Sequence, residues 1–338
     1  MTKLAPLITI DLRPITLLKV IRKTLSKITL NRMKPKFEEY LSTSQCAYRN
    51  NRSTTDAIWS YRWILSKVQE EDITIYVTGI DMSAAFDTIK REDIMSIVEE
   101  IGEEDDIRMV RALLSETTLE VKLKGYEGEP TIFISNRGAS QGDGLSGPFF
   151  TVDFEYALRE VRAEFAQTPT PAGHEYIMQN INNPIVTPDH DHAYNTEEPS
   201  QEPPSEITFA DDHDELTTDI NYQNMFIAKV AEILKRFGLE VNNSKTEKTT
   251  LKRGDRDTET WRKVVKLGNC LGDMEDITNR KQLSKAAYIK ITKVWLENHT
   301  DTLDQKVQLS DSLVTSVFLP RIEESRRRIH RKFSQEPP

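Results

Sequence analysis

The run Ile73-Thr74-Ile75-Tyr76-Val77-Thr78-Gly79-Ile80 constrains this chain more than any other segment. β-Branched and aromatic residues fill it almost throughout, and Glu70-Glu71-Asp72 bounds it, so it reads as a buried strand. It ends at Asp81, a charged side chain at the mouth of an otherwise apolar element. A second acidic feature follows later. Ala210-Asp211-Asp212-His213-Asp214 lies between the strand-like segments Glu206 to Phe209 and Glu215 to Thr218, which gives a strand, a tight turn and a strand.

Two adjacent carboxylates at a hairpin tip repel each other unless a cation or a proton intervenes. No His or Cys cluster accompanies Asp211 and Asp212, so the donor set favours a hard, oxygen-loving ion such as Mg²⁺ over zinc. If the strand ending at Asp81 neighbours this hairpin in one sheet, three carboxylates converge at its edge. That arrangement suits two metals roughly 3.5 to 4 Å apart and phosphoryl-transfer chemistry. Two solvated acids in a turn are the alternative for an isolated pair.

The rest of the chain is consistent with a soluble globular protein of about two domains: 338 residues, 37% hydrophobic, 29% charged, and no stretch near the ~20 apolar residues that span a bilayer. Pro6, Asp11, Arg13 and Pro14 interrupt the mildly apolar start and no cleavage site follows, so the expected location is intracellular, in the nucleus and/or cytoplasm. Cys46 and Cys270 are too few and too far apart for a disulfide framework or a zinc knuckle. The net charge of −9 argues against a generic nucleic-acid binder, but residues 1–36 hold nine Lys and Arg against the single acid Asp11. Such an arm can track a phosphate backbone or form a solvated face.

Helices are expected over 15–34, where Pro35 ends the pattern, after the capping-box start Ser53 to Asp56, over 92–115, from Pro148 onward, over 222–237 before Gly238, and from Ile277 to Trp295. Leu119 to Leu123 and Thr131 to Ser135 read as a hairpin around Gly125 and Gly128. Residues 167–206 contain no Lys or Arg, seven acids and seven prolines, and are expected to be an irregular, partly disordered insertion, of which deleting 172–202 is expected to leave folding and polymerisation largely intact. His174, His190 and His192 within it are poorly spaced for zinc. Arg326 to Lys332 form a basic tail, either a nuclear-import signal or simply solvated.

An ordered set of motifs runs through these elements, and with it the sequence resembles the reverse transcriptase domain of non-LTR (LINE-like) retrotransposons. Arg13-Pro14-Ile15-Thr16-Leu17-Leu18 resembles the family's "RPISLL" opening, and Ser44 to Arg49 with Ser53 to Asp56 its "QxGFRxxRSTxD" segment. Asp81 to Asp87 matches motif A, Gln141-Gly142-Asp143-Gly144-Leu145-Ser146 motif B, and Phe209-Ala210-Asp211-Asp212 motif C. Gly238 to Thr246 resembles motif D, and Lys266-Leu267-Gly268 motif E. Gly144 and Gly147 stand where motif B has prolines, which is expected to loosen that turn.

The resemblance implies a right-hand polymerase of the α/β (α+β) class. Fingers would occupy 1–72, a palm with an antiparallel sheet 73–250, and motif E, a short helical thumb and the basic tail 251–338. It implies RNA-directed DNA synthesis with an RNA template, a DNA primer, dNTPs and two Mg²⁺ ions, for which Mn²⁺ can substitute, with no membrane partner and no oligomeric state specified. Asp81 and Asp211 would hold the metals, with Asp212 in support and Met82 contributing at the same site. Lys245 would be the general acid for the pyrophosphate leaving group, with a solvated lysine as the alternative. Phe86 would exclude a ribose 2′-hydroxyl, or else be a core ring. Gln141 and Gly142 would let nucleotide and template approach, Arg13, Lys19 and Arg49 would neutralise triphosphate, and Lys266 to Gly268 would grip the primer. Only a dozen residues precede Arg13, so a truncated fingers region is expected, and integration functions would come from elsewhere. An RNA-copying RNA polymerase and a catalytically silent RNA-binding remnant are the rival readings.

Overall fold

The apolar run becomes β1 (Ile75–Ile80), and it lies inside a four-stranded antiparallel sheet rather than at its edge. Its neighbours are β6 (Asp212–Thr217), which pairs in turn with β5 (Glu206–Phe209), and on the other side β8 (Glu247–Leu251). The computed structural model describes residues 16–83, 85–115, 117–121, 131–140, 142–166, 205–255, 258–297 and 302–318. The insertion from 167 to 204 with its three histidines, the basic tail, Arg13 and Gln141 lie outside the described residues. Two compact units divide the chain, Met1–Arg253 and Gly254–Pro338.

In the first unit, α6 (Ser146–Ala166) is the central packing element. Its Phe150, Phe154, Leu158, Val161 and Phe165 are all buried, as their spacing predicts. They form one core with Tyr222, Phe226, Val230 and Ile233 of α7 (Ile220–Arg236), Ile80 of β1, and the inner faces of α4 (Arg91–Ile101) and α5 (Glu104–Leu114). α2 (Thr54–Glu71) starts at the expected capping box: Ser53 Oγ accepts from Thr55 N, and Asp56 accepts from Ser53 N at 2.6 Å. Tyr61 of α2 reaches the sheet and donates to Asp214.

Two helices differ from expectation. The helix predicted over 92–115 breaks at Gly102, where the amide still bonds Val98 O and a Cβ would sit 2.5 Å from that oxygen. Glu103 then caps α5, its amide donating to Asp106. The helix predicted over 15–34 is α1 (Val20–Tyr40) and runs through Pro35. Met33 and Phe37 on either side of Pro35 are buried, and that packing outweighs the hydrogen bond which proline removes. Its buried face is Ser26, Thr29, Met33, Phe37 and Tyr40, whereas Leu17, Ile21, Leu25 and Ile28 are exposed. The hairpin of β3 (Thr117–Val121) and β4 (Thr131–Ser135) is present, and its closing residues lie outside the described ones.

The second unit holds a two-residue hairpin, β9 (Val265–Lys266) and β10 (Asn269–Cys270), followed by α8 (Asp273–Glu297). Along α8 Ser284 and Ile291 are buried and Leu283 is exposed. Cys46 and Cys270 are buried free thiols. Among the described residues no helix is long and apolar enough to cross a membrane.

Candidate active site

β1 and β6 pair in the register Ile80↔His213, so the next position on each strand toward the sheet end is Asp81 on one and Asp212 on the other. Asp211 sits beside them in the turn between β5 and β6, which closes through Phe209↔Asp212. The condition set by the sequence is thereby met: the strand ending in Asp81 neighbours the Asp-Asp hairpin. Behind Asp81 the chain continues into β2 (Met82–Ser83), which pairs with β7 (Glu240–Val241) through Met82↔Val241 and leaves Met82 buried.

That pairing also delivers Lys245. Asn242 N donates to Asp81 O at 2.8 Å, Asn242 Oδ1 accepts from Ser244 N and Oγ, and Lys245 N donates to Asn242 O. The turn so built places Lys245 Nζ 3.3 Å from Asp81 Oδ2. Asp81 Oδ2 is buried and accepts no hydrogen bond, so the ammonium balances its charge from outside hydrogen-bonding geometry. A carboxylate oxygen withdrawn from water and left without a donor is suited to a cation. With two more carboxylates at the adjacent hairpin tip, the donor set fits hard divalent ions such as Mg²⁺.

A buried polar cluster that the sequence did not reveal supports the hairpin from below. Glu206 of β5 accepts from Arg162 Nη2 at 2.7 Å and from Ser44 Oγ at 2.6 Å, and Arg162 also holds Glu155 at 2.7 Å. His213 Nδ1 lies 2.9 Å from Thr208 Oγ1, and burial pushes the ring pKa down to about 4, so it is neutral near pH 7. Burial pushes the Glu215 carboxyl well up, and Tyr222 donates to it at 3.1 Å. Ligand atoms of Glu206, His213 and Glu215 fall within 4.8 Å of one another, but the Arg162 guanidinium already serves Glu206 as counter-ion there. Charged residues on an interior strand could have flagged this cluster; their partners, far away in sequence, could not.

The other expected site residues are placed unequally. Phe86, in α3 (Ala85–Thr88), is half-buried with its ring 4.7 Å from that of Phe150. Gly142 has φ +117°, and a Cβ there would lie 2.7 Å from Thr16 O, so its smallness serves contact between motif B and the chain's own "RPI"-like segment. Gly147 is filled rather than loosened: a Cβ on it would meet the Tyr48 ring at 2.4 Å, in space that the usual proline would occupy. Arg49 was expected to face triphosphate. Its side chain is instead 6% exposed, with its donors on Glu38, Ser42 O and Gln45 O, because a guanidinium fork satisfies a whole loop at once. Lys19 is exposed just before α1. In the second unit Lys266 is buried, and Leu267 and Gly268 both take positive φ at the hairpin turn.

Residues 6–282 match the family described as reverse transcriptase (RNA-dependent DNA polymerase). The chain is 26% identical over 162 residues to the retrovirus-related Pol polyprotein from type-1 retrotransposable element R2 of Popillia japonica, covering 48% of this chain and 22% of that protein. It therefore spans about a fifth of the length of that curated relative. Among solved structures, telomerase of Candida tropicalis in complex with the TWJ fragment of telomeric RNA is similar at 15% identity and a TM-score of 0.47, covering 92% of this chain and 47% of that one. The apo telomerase of the same organism, truncated from its C-terminal domain, is similar at 18% identity and a TM-score of 0.46, covering 75% and 44%. Because the family match takes in every strand of the sheet and all three carboxylates, the chain belongs to the reverse transcriptase family, as a domain of the non-LTR retrotransposon kind.

Proposed function

We propose that this chain extends a DNA primer on an RNA template from dNTPs, with Asp81 and Asp211 holding two divalent ions and Asp212 supporting them. The observation that carries the reading is the β1–β6 register, which sets a buried, undonated Asp81 oxygen beside the Asp211-Asp212 turn. Divalent ions bound there lower the pKa of a primer 3′-hydroxyl and neutralise triphosphate charge. The chain's own residues supply the rest. Lys245, its side chain 65% exposed at the rim, is able to swing from Asp81 and protonate departing pyrophosphate. Phe86 offers a ring edge for the sugar.

Primer extension on an RNA template with Mg²⁺ tests this. Asp81→Asn and Asp211→Asn should each abolish extension and leave template affinity within about threefold, since each removes metal charge and little surface. Equal loss of RNA binding in both variants would overturn the metal assignment. Template binding without extension by the unmutated chain would identify a silent RNA-binding remnant.

A further inference from the structure

The turn carrying Asp211 and Asp212 is strained. Only Ala210 and Asp211 close the β5–β6 hairpin, and Ala210 stands at φ 57°. Alanine resists this left-handed region because its Cβ crowds the backbone, so something outside the hairpin has to hold it there. Gln45 does so with both ends of its amide. Its Oε1 accepts from Ala210 N at 3.0 Å, and its Nε2 donates to Ala210 O at 3.4 Å. The same Oε1 accepts from Ala47 N at 2.9 Å, and the residue is 2% exposed.

Gln45 is itself held from two sides. Its segment bridges β5 in parallel, with Cys46 N on Thr208 O at 2.9 Å and Thr208 N on Ser44 O at 3.1 Å. Arg49 Nη1 donates to Gln45 O at 3.2 Å while its other nitrogens are anchored on Glu38. A buried amide is costly unless its hydrogen bonds are made, and here two of the three that the Gln45 side chain makes go to one strained residue, gripping the peptide groups on both sides of its Cα.

We propose that Gln45 is the positioning residue that sets the Asp211 and Asp212 carboxylates for divalent-ion binding, acting through the left-handed Ala210. The inference rests on the assignment of those carboxylates to the metal site. It makes a demand that a packing role does not. Glycine adopts φ near +57° at no steric cost, so the need for Gln45 should largely disappear when residue 210 is Gly.

The test uses the full chain, Mn²⁺ alone as probe, and paramagnetic resonance of free Mn²⁺ as readout, with circular dichroism as the check on folding. Gln45→Leu should weaken Mn²⁺ binding by about 10- to 100-fold, the range seen when partners that orient metal ligands are removed. Gln45→Asn, one methylene short of Ala210, should do the same and covers the case in which Leu prevents folding. Adding Ala210→Gly to either variant should recover most of the loss. Unchanged Mn²⁺ affinity in a folded Gln45 variant, or a loss that Ala210→Gly does not relieve, overturns the proposal while leaving the metal site standing. If the unmutated chain binds Mn²⁺ no better than Asp81→Asn, the metal-site reading fails and this inference falls with it.

Discussion

Phe86 is the residue on which two demands meet. Its ring packs 4.7 Å from the fully buried Phe150, and Ala139 N donates to its carbonyl at 2.9 Å, so the α3 turn that presents it is firmly placed. Yet the ring is only half-buried, which leaves an edge for a substrate sugar. Exclusion of a ribose by that edge would be steric, and ~3 kcal/mol of overlap gives more than a hundredfold discrimination. Phe86→Ala should therefore raise ribonucleotide incorporation far more than it lowers deoxynucleotide incorporation. It should also cost about 2 kcal/mol of stability through lost packing on Phe150. Phe86→Tyr should keep both selectivity and stability. Single-nucleotide incorporation of each sugar type, alongside urea unfolding, separates the roles: a stability loss with unchanged selectivity makes Phe86 a core ring and reopens RNA synthesis as the reaction.

At the scale of elements, the α4–α6 contact carries an unpaired acid whose effect on stability has a definite sign. Asp153 of α6 is 1% exposed, neither carboxylate oxygen has a hydrogen-bond partner, and burial, reinforced by Asp93 of α4 and opposed by Lys90, pushes its pKa up to about 8. The unfolded chain releases this proton near pH 4 and the folded chain keeps it until about pH 8, so stability should fall as pH rises through that window, by at most on the order of 5 kcal/mol. Asp153→Asn should flatten most of the slope and raise the melting temperature at pH 8 more than at pH 5; a slope that survives the substitution would place its origin elsewhere, beginning with Asp93, whose pKa is also raised by burial. Composition gave no hint of this site, because an Asp on the buried side of α6 looks no different in sequence from an exposed one. The same blindness explains α1. Periodicity placed a helix over 15–34, but the buried face is set by Ser26 Oγ bonding Asp143 at 3.0 Å and by Arg32 and Lys36 closing on Asp106 at 2.6 and 2.8 Å. These are contacts across 70 residues or more. What was legible has a local cause: the Ser53 capping box, the Phe150 to Phe165 spacing, and the carboxylates, whose chemistry makes them conspicuous wherever they stand.

Over the whole molecule, a chain of net charge −9 must still approach a polyanion if it copies RNA, so the placement of its cations decides how. The basic opening divides by use. Arg22 donates to Leu113 O at 2.7 Å and lies 3.5 Å from Asp143, while Arg32 and Lys36 are spent on Asp106. Lys23 and Lys27 are exposed four residues apart on one face of α1, with about 6 Å of rise between them, and the exposed Lys19 just before the helix extends this basic stripe. We expect this stripe to follow the phosphates of bound nucleic acid, with the exposed Val20, Ile21 and Leu25 interleaved beside bases or sugars. Replacing the three lysines with Ala should weaken RNA binding, and it should lower the slope of log affinity against log salt by roughly 0.7 for each lysine that neutralises a phosphate on a single strand. Lys67→Ala is the control, because Glu70 and Glu71 lie 3.4 Å from its ammonium and already absorb its charge. Binding titrations between 50 and 200 mM salt, a span over which such contacts change affinity strongly, read both effects at once. An unchanged slope in the triple variant would make the stripe a solvated face and move the search for the template's path to other parts of the molecule.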